Sequence, residues 1–182
     1  MIAKEDNELV YEALHGSRSS FEVLIERYQN KIYGMILQMT NDREMAKDLT
    51  QDVFIKAYTS LGKFSFKYRF FSWLYRIAIN ETINQLKGRR HFESIDKAQN
   101  IAAEDDAQKG ISEESPRLKN ALLGLKDSYR SVILLKYYFG LSYEEIADAM
   151  GMSTAKVKDR LFNARLTLRD KLIGTGFFGH DQ

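Results

Sequence analysis

Hydrophobic residues recur every three or four positions on either side of one stretch that lacks the pattern, and this arrangement limits the fold more than any other feature of the chain. Phe21, Leu24, Ile25, Tyr28, Ile32, Ile36 and Met39 form one helical stripe. Met45, Leu49, Val53 and Ala57 step by four along a second helix, expected over about Asp42 to Leu61. A third begins near Phe70, carries Trp73, Leu74, Ile77, Ala78, Ile83 and Leu86, and should stop at Lys87-Gly88-Arg89-Arg90. Residues 93–115 have no sustained periodicity and are rich in Glu, Asp, Gln, Ser and Ala, so they bury too little apolar surface to repay ordering. Periodicity then resumes behind Ser115-Pro116, a cap residue followed by proline at a first helical position. Leu118, Ala121, Leu122 and Leu125 form a short stripe, and Asp127 is placed to cap a helix burying Val132, Ile133, Leu135 and Tyr138 before Gly140. One proline and 11 glycines among 182 residues are too few for an all-β chain. The expectation is an all-α protein: a helical domain over 1–92, a flexible acidic linker over 93–115, a second small helical domain over 116–173 and a tail over 174–182.

Charge is segregated in the same way. The net value of +2 conceals +6 over 63–92, where seven cations meet one acid, and +4 over 151–173. The linker carries −5 and the first 62 residues −3. Two basic blocks with an acidic stretch between them suit two contacts with a polyanion. Other classes fall away. There is no cysteine, so disulfides, thiolate zinc sites and cysteine nucleophiles are absent. His15, His91 and His180 have no metal-ligand spacing, and no phosphate loop or nucleophile motif occurs. We therefore expect no cofactor, no metal and no enzymatic activity. No apolar run reaches the roughly 18–20 residues that span a bilayer, and Met1 to Leu9 is too acidic for a signal peptide. These features predict a cytoplasmic protein without membrane insertion.

The segment Leu141 to Ser153 has the grammar of a helix-turn-helix. Ser142 and Glu145 make a capping box, Ala147 is small where two helices cross, and Gly151 supplies a positive φ for the turn. Ser153 caps the second helix, whose buried stripe is Val157, Leu161, Ala164, Leu168 and Leu172. Ala155, Lys156, Asp159, Phe162 and Asn163 are left outward, flanked by Lys158, Arg160 and Arg165. Cations on such a helix hold phosphates while Asn, Asp and Phe reach base edges in a major groove.

Between the domains' stripes lies a different chemistry. Phe64, Phe66, Tyr68, Phe70, Phe71, Trp73 and Tyr75 are interleaved with Lys63, Lys67, Arg69 and Arg76, the mixture that stacks unpaired bases and follows their backbone. Asn80 and Asn84 could read the edge of a captured base. On the helix before this block, Asp48, Gln51, Asp52 and Ile55 share the side opposite the buried stripe; an isoleucine among acids suits either a partner face or a singly exposed apolar residue of the ordinary kind.

Three runs, in order, resemble the bacterial RNA polymerase sigma factors of the extracytoplasmic-function (ECF) group. Asp48-Leu49-Thr50-Gln51-Asp52-Val53-Phe54-Ile55-Lys56-Ala57-Tyr58 is similar to the family's polymerase-binding helix. Phe71-Ser72-Trp73-Leu74-Tyr75-Arg76-Ile77-Ala78-Ile79-Asn80 resembles its promoter-melting and −10-reading segment, and Leu141 to Arg165 its −35-reading domain. The resemblance implies an alternative sigma factor that binds core RNA polymerase, at its β′ clamp among other places, through Asp48, Gln51, Asp52 and Ile55. It implies −10 single-strand contacts from Lys67, Arg69, Phe71, Trp73, Arg76, Asn80 and Asn84. It implies −35 duplex contacts from Lys156, Lys158, Asp159, Arg160, Phe162, Asn163 and Arg165. An anti-sigma factor and a stress regulon are further implications. The sequence departs from the family at Ser65-Phe66-Lys67, where Arg-Gly-Asp or Arg-Gly-Glu is common. It departs again at Asp159, usually small and polar, and at Asn163, usually arginine. An acid accepts from cytosine and asparagine pairs with adenine, so the −35 preference should differ from the common pattern. The alternative reading is a stand-alone helix-turn-helix regulator, which would need a dimer surface for two half-sites; no heptad run supplies one.

Overall fold

The structure, a computed structural model, describes residues 4–96 and 116–174, with side chains for 4–89 and 116–173. Among the described residues there are helices and no strands. The first unit contains α1 (Asp6–Leu14), α2 (Arg18–Thr40), α3 (Arg43–Thr59), a 3-10 turn at Leu61–Lys63 and α4 (Phe70–Asp96). The second contains α5 (Pro116–Leu123), α6 (Asp127–Ile133) running on as a π-helical turn over Leu134–Tyr138, then α7 (Tyr143–Met150) and α8 (Thr154–Gly174).

Local chemistry explains most boundaries. Ser17 accepts from the Ser20 amide at the start of α2, and Asp42 accepts from the Met45 amide at 3.0 Å to start α3. Asn41, left-handed at φ 55°, separates the two helices. The stripes bury as their spacing requires: Phe21, Leu24, Tyr28, Ile32, Ile36 and Met39 on α2, and Leu49, Val53 and Ala57 on α3. α2 is the centre of the first unit, packed against α1, α3 and α4. α1 has a capping box of Glu5 and Glu8, and it is pinned to α2 where the Tyr28 hydroxyl and the Arg27 guanidinium both donate to Asp6.

Three expectations need correction, and one helix is additional. α4 continues to Asp96, past Lys87-Gly88-Arg89-Arg90 and into the stretch read as linker. Glycine within a helix costs only about 1 kcal/mol relative to alanine, which the helix absorbs where no proline follows. Asp127 does not cap α6; Lys126 occupies that position. Asp127 is buried at the first helical position, where its carboxylate accepts from Arg130 at 3.4 Å. Tyr138 is exposed rather than core, because the π-helical turn rotates it off the buried stripe. α1 was not anticipated, its apolar positions Leu9, Val10 and Ala13 being too few to show a period. The remainder of the linker, 97–115, and the tail from 175 lie outside the described residues.

The two units meet. α7 packs on α4, and one continuous apolar core runs from Leu9 to Ala164. Arg130, 3% exposed, donates to the carbonyls of Leu123 at 2.8 Å and Leu125 at 3.1 Å, and also to the carbonyl of Met39 at the end of α2.

Candidate polymerase and nucleic-acid interfaces

On α3, burial of Leu49, Val53, Phe54 and Ala57 turns Asp48, Gln51, Asp52 and Ile55 to solvent, and Ile55 is 63% exposed. All four predicted residues share this side. Nearby, Lys56 pairs with Glu81 of α4, which fixes the helix that presents them.

The aromatic block divides into a buried set and a presented set. Phe64 and Phe70 are core, and Trp73 is half-buried with its ring against both, at centroid distances of 5.5 and 5.8 Å. Tyr75 is also core, and burial pushes its phenol up to about 12. Phe66, Lys67, Tyr68 and Arg69 remain exposed on the segment leading into α4. The Arg69 guanidinium lies 5.9 Å from the centre of the half-buried Phe71 ring. Along α4, Arg76, Asn80 and Asn84 recur every four residues and are all exposed, one column beside the aromatic cluster.

In the second unit the helix-turn-helix is built as its caps dictate. Ser142 accepts from the Glu145 amide at 3.1 Å while Glu145 Oε2 accepts from the Ser142 amide at 2.8 Å. Gly151 sits at φ 61°, and Ser153 accepts from the Lys156 amide at 3.3 Å. Val157, Leu161, Ala164 and Leu172 are buried, and Leu168 is half-buried. Lys156, Lys158, Asp159, Phe162 and Arg165 are exposed, with Arg160 and Asn163 partly so. Phe162 is 60% exposed, a position no core requirement explains. The Lys158 ammonium lies 5.6 Å from the Tyr143 ring centre, and Arg165 donates to the Tyr137 hydroxyl at 3.3 Å.

Sequence reasoning missed the junction of the two units. Arg69 donates to Glu145 Oε1 at 2.8 Å, so the glutamate that closes the capping box also holds the other unit. Tyr75 packs on Phe139 with centroids 5.7 Å apart. A cleft of about 430 Å³ lies between the units, its lining including Tyr68, Trp73 and Arg76 on one side and Asp148, Gly151 and Lys156 on the other. No local pattern could reveal it, since its partners stand some seventy positions apart. Among the described residues no three acidic or histidine side chains gather as a metal site, and no helix is long and apolar enough to cross a membrane.

This architecture, two small helical units with an aromatic-basic helix in the first and a helix-turn-helix in the second, is that of a promoter-recognition factor. The Sigma-70 region 2 family matches residues 24–92 and the Sigma-70, region 4 family residues 116–168. The chain is 36% identical to the RNA polymerase sigma-H factor of Pseudomonas aeruginosa, across 91% of this chain and 92% of that one. It is 32% identical to the ECF RNA polymerase sigma-E factor of Haemophilus influenzae, across 92% and 95%. Among solved structures it resembles CnrH in complex with the cytosolic domain of CnrY, with a TM-score of 0.71 and 25% identity over 93% of this chain and 97% of that one. It also resembles the sigma factor RpoE in complex with the anti-sigma factor NepR from Bartonella quintana, with a TM-score of 0.67 and 26% identity over 84% and 96%. The chain belongs to the ECF RNA polymerase sigma factors. It is an alternative sigma factor, one that directs RNA polymerase to its promoters.

Proposed function

We propose that the three exposed faces divide the work of initiation. The α3 face of Asp48, Gln51, Asp52 and Ile55 docks on core RNA polymerase, the isoleucine supplying apolar burial and the acids register. The exposed −35 helix places Lys156, Lys158, Arg160 and Arg165 on phosphates and Asp159, Phe162 and Asn163 toward bases. Once the duplex opens, the segment around Lys67, Arg69 and Phe71 takes up −10 bases, with Trp73 as a half-exposed stacking surface and Arg76, Asn80 and Asn84 beside it. Unstacking costs a few kcal/mol per base, which stacking and backbone contacts offset. No covalent step is involved; the protein positions and separates strands in the cytoplasm, where polymerase and promoter are. Capture by an anti-sigma factor, and with it a regulon for stress, fits the same reading, because the similar RpoE occurs in complex with the anti-sigma factor NepR.

The observation that carries this reading is that all three faces are exposed, on three different elements, with chemistry suited to three different partners. The test is run-off transcription from a promoter library by sigma-free core polymerase, with and without the protein, beside gel shift with the protein alone. Transcripts that need both proteins and start downstream of a shared two-part motif are expected. Tight duplex binding by the protein alone, with no transcripts, would instead make it a stand-alone regulator.

A further inference from the structure

We propose that Asp159 makes the recognition helix select a C·G pair within the −35 element, its carboxylate accepting from the cytosine N4 amino group, with Asn163 as the residue that positions it. The proposal rests on reading α8 as the −35 helix. Asn163 Nδ2 lies 3.0 Å from the Asp159 carbonyl oxygen and 3.3 Å from Asp159 Oδ1. Both of those oxygens accept, so the amide nitrogen is the atom facing them and the amide oxygen is left on the outer side. Reading adenine with two bonds needs a donor and an acceptor on the same amide. In this arrangement the Asn163 amino group faces Asp159, so the amide is engaged as a support for the carboxylate.

The Asp159–Asn163 pair therefore turns acceptors outward, the free lone pairs of the Asp159 carboxylate and the outer oxygen of Asn163, while the cations around it suit phosphates. In the major groove guanine presents two acceptors, thymine an acceptor and a methyl group, and adenine a donor beside the N7 acceptor. Cytosine presents only its N4 donor, so a carboxylate meets no opposing lone pair there. Among the described residues no cation pairs with Asp159, whose one interaction is with Asn163. The neighbouring Lys158 and Arg165 are turned to Tyr143 and Tyr137 instead. A carboxylate left un-neutralised on a phosphate-binding helix weakens general DNA affinity, a cost that specific pairing would offset.

The experiment is run-off transcription by the reconstituted polymerase holoenzyme from a library with a randomised −35 region, read for wild type, Asp159→Asn and Asn163→Ala. Both substitutions are at solvent-facing positions, and thermal melting of each variant checks that the fold is kept. Wild type should favour cytosine over guanine roughly tenfold at one position. Asp159→Asn removes the charge and keeps one acceptor oxygen, which Asn163 holds, so an amino donor is turned outward and the ratio should fall to about twofold or less there alone, other positions being unchanged. Asn163→Ala should keep cytosine first with a smaller ratio, because the carboxylate is present but no longer held. An undiminished cytosine ratio in Asp159→Asn would overturn the proposal, and an undiminished one in Asn163→Ala would remove the positioning role. If wild type yields no polymerase-dependent transcripts at all, the failure belongs to the sigma reading and not to Asp159.

Discussion

At position 55 an isoleucine stands 63% exposed on a helix side it shares with Asp48, Gln51 and Asp52. Fold stability gains nothing from it, so Ile55→Ala should leave thermal unfolding within about 0.5 kcal/mol of wild type. Affinity for core polymerase, measured by titration of labelled protein, should fall by about tenfold, the value of burying the lost methylenes at an interface. Equal affinity would exclude the α3 face as the docking surface. The two shifted phenols make a separate prediction. Tyr28 is raised above the ordinary 10.0 by burial and by its hydrogen bond to Asp6, and Tyr75 is raised by burial. Unfolded, both ionise near 10, so the stability they confer is complete below about pH 10 and is lost as pH rises further. Chemical denaturation at pH 9 and 11 should show that fall, and Tyr75→Phe should shrink it. A pH-independent stability across this window would contradict the burial of both rings.

The elements whose ends are set by neighbours in sequence were legible in advance. Ser142 and Glu145, three residues apart, close the box at α7, and Gly151 takes the left-handed turn. Ser142→Ala removes one of these capping bonds and should cost about 1 kcal/mol, roughly 2–4 °C of melting temperature in a chain of this size. Weaker −35 binding should accompany it, since α7 supports the recognition helix; an unchanged melting temperature would mean the cap is redundant. The elements that escaped sequence reasoning lacked such local signals. α4 outruns Gly88 because nothing forbids continuation. Asp127 resembles a cap from its neighbours alone, and only the fold shows it buried against Arg130.

At the scale of the whole molecule, the units close on each other so that Trp73, Arg76 and Lys156 line one cleft. The contact is held by Arg69 to Glu145, by Tyr75 on Phe139 and by Arg130 to Met39. The ion pair is largely exposed and worth little by itself, so the buried aromatic and carbonyl contacts carry most of the closure. A −35 and a −10 element are separated by about 25 base pairs, or about 85 Å of duplex, which one cleft cannot span. On the proposed assignment of the two faces, the units would part on a promoter. The chain has no cysteine, so Ser65→Cys and Glu144→Cys would provide its only two thiols for dyes, both exposed and both close in sequence to the Arg69–Glu145 pair. Energy transfer should be high in the free protein and collapse in the promoter-bound holoenzyme. Persistent transfer would mean that the closed arrangement reads DNA as it stands.

Helix period, caps, charge segregation and the three family motifs are written in residues within a turn or two of one another. The chain by itself therefore determined the all-α class, the helix-turn-helix, the outward side of α3 and the membership these motifs imply. Long-range packing decided the rest. Whether Trp73 or Phe70 lies deeper, why Arg130 is buried, and that Glu145 serves both its own cap and Arg69 depend on side chains far apart in sequence. Burial and hydrogen bonding are satisfied by whatever the fold brings near, and that proximity exists only once the helices have packed.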